Sequence, residues 1–428
     1  MLPLNVTVVG LNYAPEPTGI AVYSAGLSEG LAARGFHVTA IVGYPHYPQW
    51  KIYPGFDGSA RTDGESGVVV QRVRQYVPAK PRLANRMLME LDFGLKSMFS
   101  RWRKPDAVLF VSPALFSVAL GMIRARITRI PASIWVQDIY SLGVSESGTG
   151  GRLAGRLLRV VERAVLHSAG SVVVIHDRFK RYLVEDLGID EGRVEVVRNW
   201  SHVDITPHAP RATVRAAHGW SDEDVIVLHA GNMGAKQGLE NVVYASHIAA
   251  STGSNVRFIL LGDGNQRSML EAMGGNDRLD ILDPLPKEEF MSTLLAADVL
   301  LVNERPGLTE MSVPSKLTSY FSTGLPVIAA TDESSVTAQE LEISGGGVRV
   351  DADSPGALVA AAEHLASHPQ HSRDLGMAGK RFSARLLSPG PAIDRFEEIL
   401  SRACDADLSS VVYATTDTER NSTGIGAT

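Results

Sequence analysis

The chain has 428 residues, with 41 Lys plus Arg against 47 Asp plus Glu, one Cys and a formal charge of −6. At ~100–200 residues per domain, this length fits two full domains or three small ones. A composition of 44% apolar and 21% charged residues is ordinary globular material and excludes disorder, collagen and coiled coil. Mild acidity argues against nucleic acid as a partner. The single Cys404 excludes a disulfide framework and a thiolate metal cluster, and fits a reducing cytoplasm. Met1 is followed by Leu2-Pro3-Leu4 and a strand-like run, so no signal peptide is expected. The longest uncharged stretch, Ala107–Ile123, contains Pro113 and divides into strand, turn and helix, so no transmembrane segment is expected.

Short β-branched runs alternate with helical patterns from the start. Val6–Gly10, Val38–Val42, Val68–Val73, Ala107–Val111, Ser133–Val136, Ser171–Ile175 and Val194–Val197 read as buried parallel strands. Helices intervene at Val22–Arg34, Leu83–Arg103, Leu115–Ile127, Leu153–Ala169 and Phe179–Glu185. After the polar connector Asn199–Pro210 the pattern restarts. Strands are predicted at Val225–Ala230, Val256–Leu261, Leu279–Leu282, Val299–Val302, Val327–Ala329 and Gly347–Val350. Helices lie between them at Leu239–Ser251, Asn265–Ala272, Lys287–Ala296, Ser315–Ser322 and Pro355–Leu365. The βαβα order means α/β, with two Rossmann-like domains facing across a cleft. The expected divisions are 1–205, 206–385, a helix over 386–403 packing back on the first domain, and a disordered tail over 404–428. Ligands of such sheets bind beyond the carboxyl ends of the strands, so the loops after strands are the places to look.

The first strand leads through Pro17, Thr18 and Gly19 into a helix. A glycine there lets backbone N–H groups approach an anion, although a plain βα turn needs no more. Strand Val225–Ala230 runs into Gly231-Asn232-Met233-Gly234-Ala235-Lys236. A lysine and a directed amide among glycines make a diphosphate clamp; the competing reading is a solvated loop lysine. Gly262-Asp263-Gly264 lacks the last glycine of a dinucleotide fingerprint and argues for a tight turn near a nucleotide. In the segment 303–317, Ser312 is a good N-cap, and the helix end with Ser315 and Lys316 offers N–H groups and charge to phosphate. Glu310 lies just upstream, placed for sugar or ribose hydroxyls or simply on the surface. Gln137-Asp138 ends a strand; the carboxylate can bind or deprotonate an acceptor hydroxyl, or cap the next segment. His46 and Tyr47 lie in an aromatic, Pro-rich loop suited to sugar rings, where a lone His is more often structural. Lys80–Lys104 combines an apolar helical stripe with the surrounding basic residues Arg82, Arg86, Lys96, Arg101, Arg103 and Lys104. It reads equally as a helix on an anionic membrane surface or as a core-packed helix with a solvated basic face.

The chain resembles family 4 of the retaining glycosyltransferases, of GT-B fold, and within it the colanic-acid and O-antigen type enzymes. The likeness covers roughly residues 4–400 and rests on the order of several motifs. These are the segment 12–20, Pro45-His46-Tyr47-Pro48, Trp135-Val136-Gln137-Asp138, the segment 199–204, Gly231-Asn232 with Lys236-Gln237-Gly238, Val313-Pro314-Ser315-Lys316-Leu317 and Gly324-Leu325-Pro326-Val327-Ile328. The resemblance implies transfer of a sugar from a UDP- or GDP-linked donor, held mainly by the second half, to a hydroxyl with anomeric configuration retained. It implies catalytic roles for Lys236, Asn232, Glu310 and Asp138, and donor contacts at Gly19, Gly231, Gly234, Gly262, Gly264, Ser312, Ser315, Lys316 and Ser319. Acceptor contacts fall at Pro17, Thr18, His46, Tyr47 and Gln137. Lys236 matches the family's diphosphate lysine, whereas Asn232 replaces a common arginine. The family's acidic pair is broken: its second position falls on Ser319, and Glu310 lies one residue from the first. No cofactor and no obligatory metal are implied. The acceptor would be a glycan or polyprenyl-diphosphate-linked sugar of cell-surface polysaccharide biosynthesis, met in the cytoplasm or at the inner membrane face. A nucleotide-sugar 2-epimerase of the same fold and a non-catalytic nucleotide- or glycan-binding module are the alternatives.

Overall fold

The computed structural model describes residues 3–17, 19–56, 62–63, 65–142, 151–201, 206–307 and 315–422. The chain forms two compact units, Met1–Asn199 with Pro389–Thr428, and Trp200–Ser388. The division thus falls at Asn199/Trp200 and not at residue 205. Trp200 is buried and the Ser201 N–H donates to Leu387 O, which ties this stretch to the second unit.

In the first unit the elements run β1 (Asn5–Gly10), α1 (Ile20–Ala33), β2 (His37–Gly43), β3 (Thr62–Asp63), β4 (Val68–Val73), α2 (Leu83–Met98), β5 (Ala107–Ser112), α3 (Leu115–Thr128), β6 (Ala132–Val136), α4 (Gly151–Ser168), β7 (Ser171–Val174), α5 (Asp177–Arg181) and β8 (Val194–Val196). The sheet order is β3-β4-β2-β1-β5-β6-β7-β8, parallel except for the short β3–β4 pair. Strand order reverses between β1 and β5, which marks the ligand end of such a sheet. Helix α2 is shorter than the sequence pattern suggests. It stops at Met98, and Arg103 and Lys104 take left-handed backbone angles (φ 53° and 51°) where a helix to Arg103 was expected. Its apolar stripe also faces outward. Small residues let α2 approach α3 closely: a Cβ on Gly94 would lie 2.8 Å from Ser117 Cα. Phe93, Gly94 and Ser97 are therefore buried, while Leu88 is 53% and Phe99 81% exposed.

The second unit contains α6 (Arg211–Ala217), β9 (Val225–Ala230), α7 (Glu240–Thr252), β10 (Val256–Leu261), α8 (Arg267–Met273), β11 (Leu279–Leu282), α9 (Lys287–Ala296), β12 (Val299–Asn303), α10 (Ser315–Thr323), β13 (Val327–Ala330), α11 (Val336–Ser344), β14 (Gly347–Val350), α12 (Pro355–Ser367) and α13 (Pro369–Leu386). Its six strands are parallel in the order β11-β10-β9-β12-β13-β14, and the switch point lies between β9 and β12. Alternation along β9 sends Ile226, Leu228 and Ala230 to one core and Val227 to the other. Both faces are covered, so the strands read as continuous apolar runs.

The last helix, α14 (Pro389–Ser422), returns to the first unit. Phe396 meets the Trp135 ring at 4.8 Å, Arg34 pairs with Asp394, and Arg395 and Arg402 both pair with Glu195. The helix runs on to Ser422, into the stretch expected as a tail. Although Ser, Thr and Asp are frequent there, no Gly or Pro interrupts residues 392–423. Among the described residues, no helix is long and apolar enough to cross a membrane.

Candidate functional site

The carboxyl ends of β9 and β12 bring together most of the donor-side residues. Tyr320 is buried on α10, and its hydroxyl accepts the Ala230 N–H at 2.8 Å, which fixes the helix against the end of β9. Lys316, one turn earlier on the same face, is thereby carried to the β9 loop. A Cβ on Gly231 (φ 120°) would lie 3.1 Å from Lys316 Cε, so only glycine admits this lysine. Lys316 Nζ lies 2.9 Å from His229 Nε2, and His229 Nδ1 lies 3.2 Å from Leu301 O. A proton on Nδ1, donated to that carbonyl, leaves the Nε2 lone pair facing the ammonium. Burial first, then the Lys316 charge, hold the His229 pKa well below its usual range. Burial lowers Lys316 to about 8, against an opposing pull from Glu304. A cation poorly solvated by water and held at a helix N-terminal turn is suited to bind diphosphate.

Lys236 is exposed in the turn Ala235–Gln237 after β9. Asn303, at the end of β12, pins this turn by donating to Gln237 O at 2.7 Å and Gly238 O at 2.9 Å. Arg305 N–H also donates to Lys236 O. Asn232 is exposed beside Gly234, and Ser319 is half-buried one turn after Lys316. The glycine amides are hydrogen-bonded within the loops. The amides of Gly231 and Gly262 donate to Leu261 O and Leu282 O, that of Gly234 to Gln237 Oε1, and that of Gly264 to Asp263 Oδ1. These four N–H groups are engaged internally and do not form an anion cradle. What glycine provides is close approach: a Cβ on Gly262 would stand 2.1 Å from Gly231 O. Glu310 and Ser312 lie outside the described residues, and of Ser315 only the backbone, at the start of α10, is described.

In the first unit, three buried polar groups organise the carboxyl-edge loops. Glu16 accepts the N–H of His46 at 2.8 Å, the N–H of Tyr47 at 3.0 Å and Asn12 Nδ2 at 2.9 Å. Gln75 receives the Tyr44 N–H and donates to Tyr44 O, and Arg72 donates to Ala14 O at 2.7 Å. His46 is buried within this set, with Nδ1 3.0 Å from Tyr44 O and 3.4 Å from Glu16 Oε1, so it holds the loop and does not face solvent. Gln137 is likewise committed, exchanging two hydrogen bonds with the Asn199 amide. Asp138 is exposed and caps its neighbour, accepting the Ile139 N–H. The next residues, Tyr140 and Ser141, donate to the buried carboxylate of Glu162, whose pKa burial raises. Pro17 and Tyr47 are exposed, Gly19 caps α1 in the left-handed region at φ 66°, and Thr18 lies outside the described residues. A cavity of about 1230 Å³ opens beside these loops, lined by Trp50, Tyr53, Tyr76, Arg74 and Lys96 among others.

Sequence reading pointed to these strand ends but assigned no part to Glu16, Glu162, His229, Asn303 or Glu304. The signal for two of them was a polar residue closing a buried strand, His229 in VIVLHA and Asn303 in VLLVN. Among the described residues, no three His, Cys, Asp or Glu side chains gather as metal ligands.

Residues 18–200 match a family model described as a glycosyl transferase 4-like domain, and residues 210–382 one described as glycosyl transferases group 1. Over 386 residues the chain is 30% identical to an Escherichia coli (strain K12) protein, WcaI, named for glycosyl transfer in colanic acid biosynthesis. That alignment spans 86% of this chain and 94% of WcaI. Among solved structures, sucrose-phosphate synthase from Thermosynechococcus elongatus superposes with a TM-score of 0.68 at 18% identity, covering 94% of this chain and 100% of that one. Anabaena HepE in complex with UDP gives 0.68 at 13% identity, covering 93% and 100%.

Proposed function

Since the chain belongs to the family 4 glycosyltransferases, with the two parallel-sheet domains of the GT-B fold, we propose that its second unit binds a nucleotide-diphosphate sugar. The sugar passes, with anomeric configuration retained, to a hydroxyl of a glycan or polyprenyl-diphosphate-linked acceptor in cell-surface polysaccharide biosynthesis. The observation that carries this reading is the convergence of Lys316 and the Lys236 turn on the β9–β12 switch point. Breaking the anomeric C–O bond builds negative charge on the leaving diphosphate. Two lysines and the first turn of α10 meet that charge, and positioned charges of this kind stabilise a transition state more than the substrate. The names of WcaI and of HepE in complex with UDP support a polysaccharide pathway and a uridine nucleotide. No resident metal is required in this scheme, so EDTA should leave transfer unchanged.

On the acceptor side we assign Pro17, Tyr47 and Asp138 to substrate contact, with His46 and Gln137 holding their loops. The outward leucines of α2 and the basic residues of Lys80–Lys104 support attachment to an anionic inner-membrane surface. A thermal-shift screen of UDP- and GDP-sugars identifies the donor through ligand-linked stabilisation. Incubation of that donor with and without a polyprenyl-diphosphate-linked acceptor then decides the reaction. Transfer with the anomeric proton coupling unchanged from the donor supports the proposal. Isomerisation of donor alone would make the protein a 2-epimerase, and binding without turnover a non-catalytic module.

A further inference from the structure

At the amino edge of the first sheet, opposite the catalytic loops, lies a cavity of about 990 Å³. Its floor includes the paired residues Thr7 and Thr39 of β1 and β2, and its wall is formed by Arg101, Arg103, Lys104 and Arg124. Arg101, Arg103 and Lys104 have no hydrogen-bond or ion-pair partner among the described residues. Thr39 is only 6% exposed, yet its hydroxyl also makes no hydrogen bond among them. The acidic side chain at this edge, Asp106, accepts both the N–H and the side-chain amide of Asn5. Arg103 and Lys104 both adopt left-handed angles, which cost non-glycine residues free energy and place two cations side by side. Arg124 lies 4.2 Å over the Trp102 ring and donates to Met98 O and Ser100 O, so its position is fixed.

The same Arg124 lines a second, apolar groove of about 320 Å³ with Met98, Phe99 and Ile127. Phe99 is 81% and Ile127 73% exposed, and Leu95 and Ile123 extend the apolar surface. Cationic cavity and apolar groove therefore adjoin at one shared wall residue, Arg124. We propose that this pair of cavities binds one anionic phospholipid, its phosphate among Arg103, Lys104, Arg124 and the Thr39 hydroxyl and an acyl chain along Phe99 and Ile127. A free phosphate has no use for the groove. A nucleotide would want an open aromatic face, and Trp102 is buried beneath Arg124. The inference deepens the membrane reading above by replacing diffuse attraction with a defined headgroup site.

The test uses the full chain and two probes: monomeric dihexanoyl phosphatidylglycerol followed by titration calorimetry, and vesicles of phosphatidylglycerol in phosphatidylcholine followed by flotation. The site predicts saturable 1:1 binding of the short lipid, weakened at least ~10-fold by Arg103→Gln with Lys104→Gln, at roughly 1 kcal/mol per cation. It also predicts a several-fold loss in Thr39→Val, which removes no charge. Arg126→Gln with Arg129→Gln removes the same charge from the exposed end of α3 and should leave short-lipid binding within twofold. Equal losses in the two double variants, or none in Thr39→Val, would overturn the headgroup site. So would inorganic phosphate binding as tightly as the lipid, which would make it a free-phosphate site. Vesicle flotation without short-lipid binding overturns the site and spares the membrane reading. No flotation at all overturns both.

Discussion

The two sheets build their carboxyl-edge loops by different balances of polar side chains and close backbone approach. In the first unit the loops are tied by buried polar side chains: Glu16 gathers three donors, Gln75 and Arg72 bind neighbouring carbonyls, and Glu162 gathers Tyr140 and Ser141. In the second unit Asn303 pins the Lys236 turn, but the loops also lie directly on one another through glycine, as Gly262 does on Gly231, and the charged group left at the centre is a lysine. A scaffold of carboxylates suits a surface that recognises neutral hydroxyls, because its own charge is spent internally. A scaffold of backbone contacts leaves a cation with its charge available to a diphosphate. On the proposed function, this difference assigns binding specificity to the first unit and charge stabilisation to the second.

The strongest challenge to this contrast is Lys236→Ala, which should lower kcat by roughly 10²–10³-fold, the loss seen when one positioned donor is removed. Its melting temperature should stay close to the wild-type value, since the side chain is exposed; full activity would sink the clamp. Lys316→Met comes next, with about a 100-fold loss in kcat/KM. Because burial sets Lys316 near 8, its charged form is lost as pH rises through that value, and donor turnover should decline above about pH 8. Lys316→Arg should keep activity and move the decline to higher pH; an unchanged pH profile would free Lys316 of the role.

Gly262→Ala tests the close approach. Its Cβ would meet Gly231 O, so the loops must part, at about 1–3 kcal/mol of stability and a raised KM for donor with KM for acceptor unaffected. Glu16→Ala is the mirror experiment. Three donors lose their acceptor, for about 1–3 kcal/mol by chemical denaturation, and the KM for acceptor should rise while donor affinity measured by calorimetry holds. The smallest effect on turnover is expected of Glu90→Gln, on the buried face of α2. Burial raises this carboxyl to about 8, so folding favours its protonated form and the stability tied to it is lost as pH rises from 4.5 through 8. Gln should match the wild type near pH 4 and become progressively the more stable as pH rises from 4.5 towards 8, in a pH series of thermal melts.

Much of the fold was legible because parallel strands covered on both faces must be apolar throughout, and thirteen of the fourteen strands announce themselves that way. The short β3 carries no such run, and helices α6, α11 and α13 were not read from the pattern. The Lys236 and Lys316 segments were found because glycine and proline mark the ends of strands and the starts of helices. Their supporting cast was hidden: Glu16 meets His46 thirty residues away, and His229 meets Lys316 eighty-seven away. Spacing says nothing about pairs brought together by crossover connections.

Composition alone pointed to two domains and no disulfide framework, and the small net charge of −6 argued against nucleic acid as a partner. What local sequence determined was periodicity, and hence sheet and helix, because each residue's share of burial follows from its neighbours along one strand or turn. Which face of α2 turned outward was decided by Gly94 and Ser97 fitting against α3, a fit between surfaces far apart in the chain. The same packing gathers Arg103, Lys104 and Arg124 around one cavity. A charge total sums over positions; only tertiary structure fixes the distances between them, and electrostatic energy depends on those distances.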